Sequence, residues 1–153
     1  AAGEASMYEN ILVPVDGSPL AARAVKAAIA LAAASGGGVL ALHVYAKAGD
    51  GPFGTFEASR ELLAEAYEQQ ARARADELFA AVRRQAEAAG VGFAAAAVES
   101  DQVWRAVVAV AKRRKCDLVC MASHGRRGLA AALLGSQTQK VLAHAHVPVL
   151  VIR

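Results

Sequence analysis

The sequence predicts an α/β fold: a single domain built on an open, twisted, five-stranded parallel sheet of order 3-2-1-4-5, with helices on both faces. Three observations carry that expectation. Five short apolar runs alternate with longer amphipathic segments along the chain. The short runs are apolar almost throughout, as strands are when a sheet is covered on both sides. The chain has 153 residues, 56 % of them hydrophobic and 20 % charged, which suits one domain that buries its own core without disulfide, metal or partner. Alanine supplies 39 residues and aromatics only 5 %. Such a composition favours helices packed closely on something flat.

The elements follow in order. Residues 10–15 (NILVPV) read as the first strand. Ser18 and Pro19 then open a helix, a hydroxyl at the N-cap and a proline at the first helical position. Leu20 to Ala34 carries it, and Gly36 to Gly38 stop it. Val39 to Tyr45 is the second strand. Residues 46–56 hold three glycines and a proline and read as a loop. Glu57 to Ala89 is a long helical stretch, with Leu63, Tyr67, Ala71, Leu78, Val82 and Ala86 on one apolar face and Glu68 and Arg72 paired at i,i+4. Gly90 ends it. Gly92 to Val98 is the third strand. Asp101 to Lys115 is the third helix, with Trp104, Val107, Val108 and Ala111 at helical spacing. Arg113, Arg114 and Lys115 stand in its last turn, where cations complement the helix dipole. Asp117 to Ala122, Ser136 to His144 and Val147 to Ile152 read as strand four, helix four and strand five.

Right-handed crossovers that cover both faces require the chain to reverse direction once along the sheet. Starting in the middle gives the order 3-2-1-4-5, with the reversal between strands one and four. A crevice opens there at the carboxyl ends of the strands, where ligands settle. Two segments are therefore the places to look for function: the residues after Val15 and those after Met121.

Several classes are set aside. The net charge of +3 is mild and evenly spread, which gives no footprint for nucleic acid. Ala27 to Ala46 has no charged residue, but Ser35 and Gly36 to Gly38 cut it, so it reads as a helix–turn–strand junction and not as a membrane span. No secretory signal pattern is visible. Residues 1–6 precede a natural-looking start at Met7 and are read as extraneous to the domain, which covers 7–153. Cys116 and Cys120 fit neither redox nor zinc spacing. They read as reduced, buried small hydrophobes, which fits the cytoplasm.

The chemistry-bearing residues cluster after strands one and four. Asp16 is the first charge after an apolar strand and lies at the crevice. Its carboxylate can accept two hydroxyl hydrogen bonds, as a ribose offers, or it can start an Asx turn or cap the first helix. After strand four, Ser123-His124-Gly125-Arg126-Arg127-Gly128 leads to Gly135-Ser136-Gln137-Thr138. Glycines let backbone N–H groups approach a ligand, and the start of a helix favours an anion. This describes a phosphate cradle. The alternative is an S-x-x-Q capping box of Ser136 and Gln139, which would occupy the same N–H groups. No Walker A sequence occurs.

Val13-Pro14-Val15-Asp16-Gly17-Ser18, Leu42-His43-Val44, Ser123 to Gly128, Gly135-Ser136 and Val147 to Val151 together resemble the universal stress protein family, over Met7 to Arg153. The resemblance implies a Rossmann-like sheet of the adenine nucleotide alpha hydrolase type and an ATP-binding regulator or sensor of stress with little or no hydrolysis. The family's ATP-binding members carry G-x2-G-x9-G-[ST]. Gly125, nine intervening residues, then Gly135 and Ser136 match the second and third glycines in register, while the first falls on Ala122. That departure adds a methyl group beside the expected ribose. The resemblance further implies Asp16 at the ribose, Pro14 and Val15 flanking adenine, and Val44 meeting the adenine edge through its backbone. Met121 and Ala122 would line base and ribose. Gly125, Gly135, Ser136, Gln137 and Thr138 would contact phosphates, with any magnesium held mainly by phosphates and waters. Family members that bind no nucleotide supply the rival expectation, an interaction module of the same fold.

His43 reads as a satisfied strand-end histidine and His124 as a brace of the cradle loop or a ligand contact. His144 and His146 have no carboxylate neighbour in sequence to complete a metal site. No Ser-His-Asp arrangement or nucleophile elbow appears. Strand five, apolar and at one end of the sheet, invites pairing with a second chain. A symmetric homodimer through antiparallel strand five is the expectation, as the family resemblance also implies.

Overall fold

The computed structural model describes residues 6–48, 57–125 and 133–153. Nine elements follow one another: β1 (Asn10–Pro14), α1 (Pro19–Ser35), β2 (Gly38–Tyr45), α2 (Glu57–Ala88), β3 (Gly92–Glu99), α3 (Val103–Arg113), β4 (Leu118–Ala122), α4 (Ser136–His144) and β5 (Val149–Ile152). The sheet has the order β3-β2-β1-β4-β5, and every pairing is parallel. The chain thus starts in the middle, runs to one edge, and returns to build the other.

The alternation of side chains along β1 places its residues in two cores. Ile11, Val13 and Val15 pack with Ala24, Val25, Ala28 and Ile29 of α1 and with Val82 and Ala86 of α2. Leu12 lies on the other face with Leu40 and Leu42 of β2, Val107 and Val110 of α3, and Val141 of α4. Alanine on the buried side of α1 lets that helix sit close to the sheet. The Ser18 hydroxyl accepts the Ala21 N–H at 3.1 Å, Pro19 follows it, and Gly36 at φ 72° closes the helix. The N- and C-terminal signals in the sequence are the ones the helix uses.

Four details differ from the sequence expectation. The core-facing stripe of α2 begins later: Ala75, Val82 and Ala86 are buried, whereas Leu63 and Tyr67 are exposed, because the sheet lies only beneath the second half of this helix. The buried face of α3 is Ala106, Val107, Val110 and Ala111, so Trp104 and Val108 are half-buried at its flanks. That helix also starts at Val103 and not at Asp101. Strand five begins at Val149, two residues late, although the Pro148 carbonyl already accepts the Val119 N–H at 3.0 Å. Asp117 precedes β4 and ties the sheet together from its side chain, accepting the Glu9 and Asn10 N–H groups at 2.8 and 3.0 Å. The Glu68–Arg72 pair forms at 2.7 Å on the exposed side of α2, where such pairs contribute little. No helix among the described residues is long and apolar enough to cross a membrane.

Candidate functional site

β1 and β4 are neighbours, and the chain leaves them toward opposite faces of the sheet. The turn after β1 is built by Asp16, whose Oδ1 accepts the Ser18 N–H at 2.9 Å, and by Gly17 at φ 82°. The Asx turn expected as an alternative for Asp16 is therefore present, and it aims the carboxylate. A methyl group on Gly125 would lie 2.9 Å from Asp16 Oδ2, so the loop after β4 passes directly against this acid. Only the absence of a side chain at residue 125 permits that approach.

The same loop reaches α4 through Gly135. Its N–H donates to the Ser123 carbonyl at 2.7 Å, and a side chain there would press on the backbone of Ser123 and His124 at 3.2 Å. Gly135 itself is the N-cap, and no side chain among the described residues caps α4. The first helical bond runs from the Gln139 N–H to the Gly135 carbonyl. The capping box considered for Ser136 and Gln139 does not form: Ser136 is the first helical residue, and the Gln139 amide donates to the Leu134 carbonyl at 2.8 Å. The N–H groups of Ser136, Gln137 and Thr138 consequently have no partner among the described residues, as the first turn of an uncapped helix requires.

These features border one cavity of about 170 Å³. Pro14, Val15, Asp16, Val44, Met121, Ala122, Gly125, Gln137 and Thr138 line it. Of the residues singled out in the sequence, Gly135 and Ser136 stand just outside, at the entrance of α4. Ala21, Leu42, Val103 and His124 complete the lining. Leu42 carried a signal, since it lies two residues before Val44 on the same face of β2. Val103 carried none, because it arrives from the start of α3 only once the sheet order is known. A cavity this size is below the 300–1,000 Å³ usual for ligand sites. It suits a flat ring, with the remainder of a ligand running out over α4.

Two polar side chains at the site are committed to structure. The Thr138 hydroxyl, buried, donates to the Ala122 carbonyl at 3.0 Å. The Gln137 side-chain oxygen accepts the Trp104 N–H at 3.0 Å and so caps α3, whose own N-cap residue offers no side-chain bond. Contacts from these two residues to an anion would therefore run through backbone N–H. Ala122 ends β4, and its φ is not positive, so alanine sits there without strain. His124 Nδ1 lies 3.1 Å from the Ser123 hydroxyl, the bracing contact expected of it. His43 bonds the Val15 carbonyl at 2.8 Å from the opposite face. Both cysteines are buried, and burial pushes each thiol up from 9.0 to about 11. Arg126, Arg127 and the 49–56 part of the loop expected over 46–56 lie outside the described residues.

The sequence matches the universal stress protein family over residues 7–153. The chain belongs to the universal stress protein family. A curated relative, universal stress protein MJ0531 of Methanocaldococcus jannaschii, is 32 % identical over 150 residues, covering 97 % of this chain and 84 % of the relative. Among solved structures, hypothetical protein MJ0577 superposes with a TM-score of 0.81 at 27 % identity, covering 95 % of this chain and 96 % of that one. A universal stress protein in complex with cAMP gives 0.69 at 25 % identity, covering 97 % and 98 %. The Rossmann-like fold expected from the resemblance is thus the fold of this universal stress protein.

Proposed function

We propose that this universal stress protein binds an adenine nucleotide, ATP foremost, between Asp16 and the N-terminus of α4. It then serves as a dimeric cytoplasmic regulator or sensor of stress, with little or no hydrolysis. One observation carries the reading: a carboxylate at the end of β1 and an uncapped helix N-terminus border the same apolar cavity. Asp16 accepts the ribose hydroxyls. Pro14, Val15, Val44 and Met121 enclose the base, with Ala122 beside the sugar. The N–H groups of Ser136, Gln137 and Thr138, the Ser136 hydroxyl and the close backbone at Gly125 and Gly135 hold phosphates. A magnesium ion would ride on phosphates and water, since no group of three potential metal ligands exists among the described residues. The cAMP complex of a relative supports an adenine ligand for this fold.

The dimer rests on β5, an edge strand whose partners lie on one side only and whose Leu150 is exposed. Truncation after Pro148 is expected to give monomer or aggregate, and an unchanged dimer mass in light scattering would overturn the interface.

The second reading is a nucleotide-free interaction module. Ala122 in place of the family's first glycine favours it. The two are separated by mass spectrometry of nucleotide retained after purification and by the melting temperature in millimolar ATP. Retained adenine nucleotide or a raised Tm supports the first reading, and neither supports the second.

A further inference from the structure

A second cavity, of about 410 Å³, opens at the amino-terminal end of the sheet, remote from the nucleotide crevice. Its wall is apolar and built from small residues: Val108 and Ala111 of α3, Cys116 before β4, and Ala145 and Val147 on the way into β5. This placement explains why Val108 is only half-buried although it belongs to the apolar pattern of α3. It borders this space and not the sheet. The volume is within the usual range for small ligands.

The rim is basic. Lys112, Lys115 and His146 border the cavity, and no carboxylate among the described residues does. Neither lysine has an ion-pair partner among the described residues. Asp117, the acid nearest in sequence, is engaged with the Glu9 and Asn10 N–H groups. Lys115 is also held at φ 52°, with its N–H on the Lys112 carbonyl. Helix ends normally place glycine or asparagine in that left-handed conformation. A lysine there costs backbone energy and sets an ammonium group on the rim.

The geometry points to a second binding site, for a small amphipathic carboxylate whose apolar body fills the cavity and whose anionic head meets Lys112 and Lys115. Apolar walls and an unpaired cationic rim are complementary to that class of ligand and to neither a sugar nor a cation. The inference is independent of the nucleotide reading.

Cys116 reports occupancy, because this residue borders the cavity. The experiment follows the rate at which a small disulfide reagent labels Cys116, located by mass spectrometry, in the whole protein. Octanoate is expected to slow labelling at least fivefold. Affinity should rise about fourfold per added CH2 from hexanoate to octanoate, the increment for burying one methylene. Lys115→Gly relieves the left-handed lysine, so it should raise Tm while weakening octanoate protection at least fivefold. Lys112→Glu should weaken it similarly, and Val108→Phe should remove it by filling the space. Equal protection by acetate or by octanol, or full protection retained in Lys115→Gly, would overturn the site. So would labelling that octanoate leaves unchanged but protein dilution accelerates, which would mean that a second copy covers this face.

Discussion

Asp16 is held by the Ser18 N–H on one oxygen, and the side-chain-free Gly125 passes beside the other. Replacing it with alanine removes the acceptor for ribose hydroxyls, and ATP affinity measured by calorimetry should fall by roughly 1–3 kcal/mol. Gly125→Ala makes a complementary test. Its new methyl group would stand 2.9 Å from Asp16 Oδ2, so the acid must turn away. Affinity should drop while Tm changes little, because Gly125 is exposed. Ala122→Gly should leave ATP binding unchanged or tighten it. The cysteines set a pH dependence of their own. Their folded thiols sit near 11 against an ordinary 9.0, owing first to desolvation. A raised thiol favours the neutral form in the folded state, so its contribution is complete below about pH 9 and is lost as pH climbs toward 11. Denaturation midpoints should therefore decline over that alkaline window, and a Cys116→Ala, Cys120→Ala double variant should flatten the decline.

Among the elements, α3 and α4 depend on each other through one side chain. Gln137 caps α3 at Trp104 while standing in the first turn of α4. Gln137→Ala should cost about 1 kcal/mol in urea denaturation, the usual loss for a helix cap. By contrast Leu62→Lys and Leu63→Lys, at exposed positions of α2, should stay within about 0.5 kcal/mol of the parent. Helix limits written in local chemistry were legible: Ser18, Pro19 and Gly36 announce α1 without reference to anything distant. The cap of α3 was not, because its acceptor is 33 residues away. The apolar stripe of α2 runs further in the sequence than in the packing for a related reason. Periodicity marks a face, but only the extent of the sheet decides how much of that face is covered.

At the scale of the molecule, the strand order was legible because chirality and coverage leave few arrangements, and the crevice position follows from the order. Nine of the cavity's lining residues could be named in advance on that basis, together with the family resemblance. The sequence allows either a cradle or a capping box at the α4 N-terminus, and one residue decides between them: the cap falls on Gly135, one position earlier than a box on Ser136 needs. A ligand bound there stabilises the folded state alone. ATP at a hundred times its Kd should add about 2.7 kcal/mol to unfolding, readable as a rise in Tm that Asp16→Ala diminishes.

The chain has one tryptophan. Its backbone hangs from Gln137, and its ring stacks on His144 at 4.4 Å, with the Arg105 guanidinium 5.2 Å from its centre. The residue thus touches both ends of α4, its backbone at the first turn and its indole at the last, and its ultraviolet emission is a native optical probe of that helix, free of any attached dye. Stopped-flow mixing with nucleotide would time the loading of the crevice directly.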